Sequence, residues 1–443
     1  MPRHARYALI VLFAINTMNF FDRTIFGAIG ETIRREWDLG DAAIGALATS
    51  FTLLYAVVGV PFGRLSDTLA RTRILAVGLF VWSLLTAASG LAQSYWQLFV
   101  VRLGVGVGEA TCAPAANSLI GDLFPKARRA RALSIFMLGL PIGNALAYAV
   151  GGPVTQAWGW RAAFFVAGLP GLLCVLAVLW LREPARGTTE EHAVGDRRRT
   201  GSPYSLVLSI PTMWWLIASG ALHNFNMYAI AQFLAPFLIR FHGTTVKEAG
   251  LLSTAVYGLS GVGGLLLGGI LADAAYRRRT DGRLLVGAAA IAMTSPCMYL
   301  ALGRPAGAVI GFSVMMGIGC GAMYAYYSTV YSTIQDIIEP SLRGTAMALY
   351  FCAMYVFGAS AGPIGTGLAS DYFTARAASA AGILQHTPKA LEPFRAAGLH
   401  SAMYLIPTVF AALALVLFAA SRTVTRDVQK LQAWMRAPAS TTS

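Results

Sequence analysis

Apolar runs of about 20 residues, the length a helix needs to cross a hydrocarbon core, recur along this chain of 443 residues. They lie near 7–29, 43–62, 74–92, 96–123, 131–152 and 162–181, then near 212–239, 249–272, 284–302, 306–337, 344–370 and 399–421. In lipid no water satisfies the backbone, so runs of this kind must fold as helices that pair their own N–H and C=O groups. The composition agrees: 56% of residues are hydrophobic and only 12% charged, about half the charged fraction of a soluble domain. The expected fold is an all-α polytopic membrane protein with twelve transmembrane helices in two pseudo-symmetric bundles. One six-helix bundle covers 1–181, a polar linker 182–210, a second bundle 211–421, and a tail 422–443. Val428, Leu431 and Trp434 suggest that the tail forms an amphipathic surface helix.

The net charge of +14 follows from topology. With the N-terminus inside, most of the Lys and Arg fall in inner segments, including Arg64, Arg71 and Arg73, Arg128 and Arg129, the linker run Arg197 to Arg199, and Arg277 to Arg279. That positive-inside bias predicts a multi-pass protein of the inner or plasma membrane with both termini in the cytoplasm. Contact with anionic lipid accounts for the Arg-rich linker better than nucleic acid does. The five cysteines sit in apolar stretches without CxxC spacing, which predicts no metal site. There is no P-loop and no reactive constellation, so neither an enzyme nor an ATP-driven pump is expected, and no cofactor is called for. The basic start followed by an apolar run containing Asp22-Arg23 reads as a retained first span. A monomer is expected.

Four ionisable residues interrupt this pattern: Asp22 and Arg23 in the first span, Arg102 and Glu109 in the fourth. A charge at membrane depth costs at least about 2.5 kcal/mol and marks an ion or substrate path. Arg102, Gly106 and Glu109 share one helix face through i, i+4 and i+7 spacing. Span one runs outward and span four inward, so Asp22 and Arg102 should lie at similar depth, with Glu109 about two turns deeper.

An internal repeat is also legible. Gly63-Arg-Leu-Ser-Asp67 with Arg71 and Arg73 follows span two; Gly269-Ile-Leu-Ala-Asp273 with Arg277 to Arg279 follows span eight. Asp122-Leu-Phe-Pro125 likewise corresponds to Asp336-Ile-Ile-Glu-Pro340. Two loops matched in the same order mean a duplicated unit. These residues resemble the major facilitator superfamily, whose signature loop is Gly-x-x-x-Asp followed by basic residues. Small residues at Gly139, Pro141 and Gly143 of span five, and at Gly358 and Gly362 of span eleven, are placed like those of helices between the two halves. Gly63, Asp67, Arg71, Arg73, Gly269, Asp273 and Arg277 are read as gating residues that form and break ion pairs as an inner gate closes and opens.

Asp22-Arg23, Arg102-Leu-Gly-Val-Gly-Val-Gly-Glu109, Leu140-Pro141-Ile-Gly143 and Gly159-Trp160-Arg161 further resemble the spinster-like branch. That resemblance implies proton-linked export or exchange of lysophospholipid- or sphingolipid-like amphiphiles. Anion–cation symporters of the same superfamily share a similar Asp-Arg and Gly-x-Gly-Glu-Ala, so a small organic anion remains open as substrate. A carboxylate out of water beside a guanidinium is balanced between two protonation states, as a proton carrier requires. Asp22 and Glu109 are therefore the expected protonation sites, with Arg23 and Arg102 tuning them or engaging an anionic headgroup. Asn19, Phe20 and Asn144, with His223, Asn224, Asn226 and Tyr228 of span seven and Tyr324, Tyr327 and Tyr331 of span ten, are the candidate substrate-binding residues. Transporter sites form where the halves meet near the midplane. A non-transporting receptor would carry a larger soluble domain than these loops allow.

Overall fold

The computed structural model describes residues 3–124, 126–184, 202–339, 342–383 and 385–436, with backbone alone for 126–131 and part of 53–68. The linker run Arg197 to Arg199 lies outside the described residues. In the first half, α1 (Arg3–Glu36), α2 (Asp41–Thr68) and α3 (Arg71–Ser89) are single spans. The fourth span is divided into α4 (Tyr95–Glu109) and α5 (Cys112–Leu123); the fifth and sixth come from α6 (Lys126–Met137) and α7 (Gly139–Leu179). The second half opens with short α8 (Pro203–Leu208) and α9 (Pro211–His242). Its eighth span joins α10 (Val246–Ser253) to α11 (Ser260–Tyr276) through a π-helical turn, Thr254–Leu259. Next come α12 (Gly282–Leu302) and α13 (Val309–Ile337). The eleventh span joins α14 (Arg343–Ala353) to α15 (Ala361–Ala380) through a second π turn, Met354–Ala359. Short α16 (Pro388–Leu391), α17 (Arg395–Met403) and long α18 (Leu405–Arg436) end the chain.

Among the described residues nine helical stretches are long and apolar enough to cross a membrane. One of them, Ala132–Leu179, reverses direction at Gly159, whose φ of 81° is a left-handed value that favours glycine. It therefore crosses twice. Adding α2 and α9, with 28 and 32 residues, the described residues are consistent with twelve crossings. The first turn of α1 and the last turn of α18 define what is called here the terminal face; the other is the distal face.

The halves meet along three helix pairs: α1 with α9, α2 with α15, and α7 with α10 and its π turn. Small residues allow the approach, since helices in lipid associate by close van der Waals packing. A methyl group on Gly152 would lie 2.8 Å from the Val246 carbonyl oxygen and 3.0 Å from Gly250 Cα; on Gly27 it would collide with the Ala231 carbonyl. Spans five and eleven do lie between the halves, as their glycines implied.

One expectation fails. The tail is no separate surface helix, because α18 runs without a break to Arg436. Val424, Val428 and Leu431 are buried, as is Val207 of α8. Asp427 accepts from the Thr212 backbone N–H (3.0 Å) and hydroxyl (2.6 Å) at the start of α9. The apolar stripe read as one side of an amphipathic surface helix is used inside the second half instead.

Candidate functional site

Three of the four intramembrane charges are buried whole, and the side chain of Arg23 is 3% exposed. Arg102 Nη1 donates to the Asp22 backbone carbonyl at 3.4 Å, which puts the two at the same depth, as the helix directions required. The Asp22 carboxylate accepts from Thr86 of α3 at 3.2 Å. Glu109 pairs with Arg23: Nε donates to Oε2 at 2.8 Å. It sits in the last turn of α4, just before the break at Ala110 and Thr111 that divides span four. The second carboxylate oxygens, Asp22 Oδ1 and Glu109 Oε1, are buried without a hydrogen-bond partner.

Aromatic rings enclose the Arg23 guanidinium. Its central carbon lies 4.3 Å from the ring centre of Tyr55, 5.1 Å from Phe51, 5.2 Å from Phe20 and 5.9 Å from Tyr355. Contacts of this kind stabilise a cation out of water. Nη1 also donates to the Tyr355 hydroxyl at 3.3 Å, and Tyr355 belongs to the other half. One side chain thus holds a first-half carboxylate and a second-half phenol together. Asn19 is buried one turn before Arg23 on α1, and Tyr228 faces it electrostatically from α9.

The other candidates divide into two groups. Asn144 joins the halves by accepting from Thr24 (2.7 Å) and donating to the Tyr324 hydroxyl (3.0 Å). Asn224 donates to the Met354 carbonyl at 3.4 Å. Tyr331 stays partly exposed and packs edge-on against Tyr327, ring centres 5.5 Å apart. By contrast His223 and Asn226 are completely buried in the second half, and Tyr327 nearly so. His223 stacks on Tyr326 at 3.9 Å, and Tyr327 donates to Met227 Sδ at 2.6 Å. The expectation that His223, Asn226 and Tyr327 line an open site is corrected here. Residues 223, 226, 227 and 230 fall on the face of α9 turned to its own bundle, while 225 and 228 are turned to partly exposed space.

Gating candidates show a second correction. Gly63 and Asp67 lie on α2 where only the backbone is described. Arg71 is buried and ion-paired with Asp122 and, at 2.7 Å, with Glu183; it also donates to Ser118 Oγ at 2.9 Å. Burial works against the Glu183 charge, but the Thr72 backbone N–H and Arg71 hold its carboxyl below the usual range. Arg73 is exposed, and a methyl group on Gly269 would lie 3.6 Å from Ser328 Oγ, an ordinary contact. In the second half the arginine that corresponds to Arg71 is Arg283, not the exposed Arg277. Arg283 starts α12 as Arg71 starts α3, pairs with Asp336, and reaches Asp273 at 3.1 Å. The repeated motif misassigned the partner because only the turn after α11 sets which arginine points at Asp336. Arg283→Ala is expected to lower stability by about 1.5–3 kcal/mol, and Arg277→Ala by no more than about 0.5 kcal/mol. Thermal unfolding of the two variants in detergent measures this, and equal effects would remove the distinction.

Sequence reading did not find the largest ionic cluster. On the distal face Arg240 of α9 binds Asp41 through two hydrogen bonds of 2.8 Å and Glu31 at 2.6 Å. Arg34 binds Glu392 at 2.6 Å and Glu31 at 3.1 Å. Asp371 of α15 accepts from the Asp41 and Ala42 backbone N–H groups, both at 2.9 Å, and so caps α2 from the opposite half. Among the described residues, every ion pair on the terminal face stays within one half, and the ion pairs that cross between the halves, Arg34–Glu392, Arg240–Glu31 and Arg240–Asp41, all lie on the distal face. The only available signal was the set of acids in outer segments, for which the positive-inside rule has no use.

Residues 12–363 match the model of the Major Facilitator Superfamily. The chain belongs to that superfamily. It is 29% identical over 378 residues to an MFS-type efflux pump of Mycolicibacterium smegmatis, covering 84% of this chain and 86% of that one. It is equally 29% identical over 398 residues to protein spinster homolog 1 of Mus musculus, covering 83% and 73%. A crystal structure of a bacterial homologue of the human lysosomal transporter spinster, inward-facing and unoccupied, superposes with a TM-score of 0.84 at 28% identity over 96% of this chain and 99% of that chain. The same homologue in an inward-facing, occupied conformation gives 0.80. This is a spinster-like transporter with the alternating-access fold, and not an enzyme.

Proposed function

We propose that the protein is a proton-coupled secondary transporter of a lysophospholipid- or sphingolipid-like amphiphile, with the outer (distal) face held shut by the ion pairs that cross between the halves there. The observation that carries the coupling is the buried Arg23–Glu109 pair, whose arginine also holds Tyr355 of the other half. Protonating Glu109 removes the negative partner of Arg23, freeing that guanidinium for an anionic headgroup and loosening its hold across the halves. Asp22, with one carboxylate oxygen unpartnered beside Arg102, is the second proton site. The aromatic enclosure of Phe20, Phe51, Tyr55 and Tyr355 favours an apolar or amphiphilic cargo over a sugar, which needs a denser polar lining. The orientation with both termini in the cytoplasm follows from the positive-inside bias, and the two bundles with boundaries at 181 and 211 are the units that rock.

Purified protein in liposomes, with flux of a labelled lysophospholipid, a sphingoid base and a simple carboxylate followed under an imposed pH gradient, tests both parts. Flux of an amphiphile that rises with the gradient and collapses with a protonophore is expected. Movement of the carboxylate alone would replace the amphiphile by the small organic anion, and flux indifferent to the gradient would remove the coupling.

A further inference from the structure

The eleventh span changes helical type where it meets Arg23. Between α14 and α15 the turn Met354–Ala359 is π-helical, closed by the Ser360 N–H donating to the Tyr355 carbonyl at 3.0 Å. Single π turns are rare and concentrate at functional sites. This one is held from two sides. Asn224 of α9 donates to the Met354 carbonyl at 3.4 Å, and Thr49 of α2, in the first half, donates to the Ser360 carbonyl at 2.8 Å. The wider turn presents Tyr355, whose ring lies 5.1 Å from that of Tyr55 across the junction of the halves. Its hydroxyl meets the edge of the guanidinium adjoining the one that holds Glu109.

We infer that Tyr355 is a positioning residue for proton coupling: its hydroxyl holds Arg23 against Glu109 only while the halves adopt the present arrangement. The inference rests on the proton-site reading of Glu109 above. Its logic is linkage. A group bound in one conformation and released in the other shifts the equilibrium by its differential interaction alone. Arg23 makes its Glu109 contact within the first half and its Tyr355 contact with the second. Loss of the first, on protonation, weakens the second, and separation of the halves removes the support that keeps Arg23 at Glu109. The charged and titratable groups facing the pair are Asp22 on its own helix, Arg102 on α4, Cys112 on α5, and the phenols of Tyr55, Tyr228 and Tyr355. Among these only Tyr355 belongs to the π turn.

The test follows conformation rather than flux. Spin labels at Arg6→Cys and Arg278→Cys, exposed terminal-face positions in different halves, report the separation of the halves in liposomes as pH is varied, on a background lacking the native cysteines. In otherwise native protein the separation should change with pH, and Glu109→Gln should hold the acid-limit distance at every pH. Tyr355→Phe keeps the ring and removes the hydroxyl. Its transition should move to higher pH by about one to two units, since the present arrangement loses one hydrogen bond to a charge. Tyr350→Phe is the control: it removes a buried phenol hydrogen bond of 2.8 Å to Tyr326 in the same half, and should leave the midpoint in place. A Tyr355→Phe midpoint equal to or below the native one, or an equal shift in Tyr350→Phe, overturns the role of Tyr355 and leaves the proton-site reading standing. A native separation that ignores pH overturns both.

Discussion

Arg240→Ala is expected to open the distal face. The guanidinium is 5% exposed and is the one cation that binds both Asp41 and Glu31, themselves almost fully buried. Removing one partner of a buried pair costs about 3–5 kcal/mol, and here the charge left without its ion-pair partner is Asp41, since Glu31 keeps Arg34 and Arg35. That cost falls only on the closed distal face, where the halves touch, so the open population should rise by roughly two to four orders of magnitude. Arg240→Lys should recover part of the effect and no more, since a single ammonium cannot reproduce the fork that binds Asp41 through two nitrogens. Distances between labels placed on the distal ends of the two halves measure the outcome. An unchanged distribution in Arg240→Ala would mean that backbone packing, and not the ionic cluster, keeps this face shut.

Acid is not expected to release this cluster in the range where transport operates. Burial opposes the charge of Glu392, yet hydrogen bonding and attraction to Arg34 hold its carboxyl below the usual carboxylate range. A depressed pKa of this kind contributes stability that is present above the unfolded value, about 4.3, and is lost only as pH falls through the lowered folded value. Between pH 7.5 and 5 the Glu392–Arg34 pair therefore stays charged. A pH response inside that window has to originate elsewhere, and the site proposed for it is Glu109.

Glu109→Gln should abolish uphill, gradient-driven accumulation while downhill exchange persists. The amide fills the same volume but cannot lose or take up the proton, and it leaves Arg23 enclosed by rings with no anion beside it. An uncompensated buried charge costs about 3–5 kcal/mol, charged here to the conformation in which Arg23 is enclosed. The variant should therefore favour the other conformation as well as lose coupling. Counterflow and gradient-driven uptake measured side by side separate these effects. Intact proton-driven uptake in a folded Glu109→Gln protein would leave the pair as a static strut between α1 and α4.

How far the sequence reached can be judged from particular residues. The depth match between Asp22 and Arg102 was readable because it needs only helix rise and span direction, and the carbonyl contact between them has that geometry. The choice of Arg23 as the partner of Glu109 was not readable, since Arg23 and Arg102 were equally available cations. Tyr355 carried no charge to mark it, and its position depends on a π turn that no spacing announces. His223 and Asn226 looked like lining residues because they are polar in an apolar span. Their burial against Tyr326 and its neighbours is a matter of which face of α9 turns toward its own bundle.

The sequence alone determined the spans, their pairing into a repeat, and the confinement of intramembrane charge to the first half. These are one-dimensional quantities, fixed by the cost of placing backbone and charge in hydrocarbon. Only the tertiary structure decided which charges meet. Arg240 with Asp41, Arg34 with Glu392 and Arg23 with Tyr355 are each separated by about two hundred residues or more, and such partners are selected by how the two bundles lean on each other. In a transporter that lean is the quantity that changes, so the contacts hardest to read from the chain are the ones that report its state.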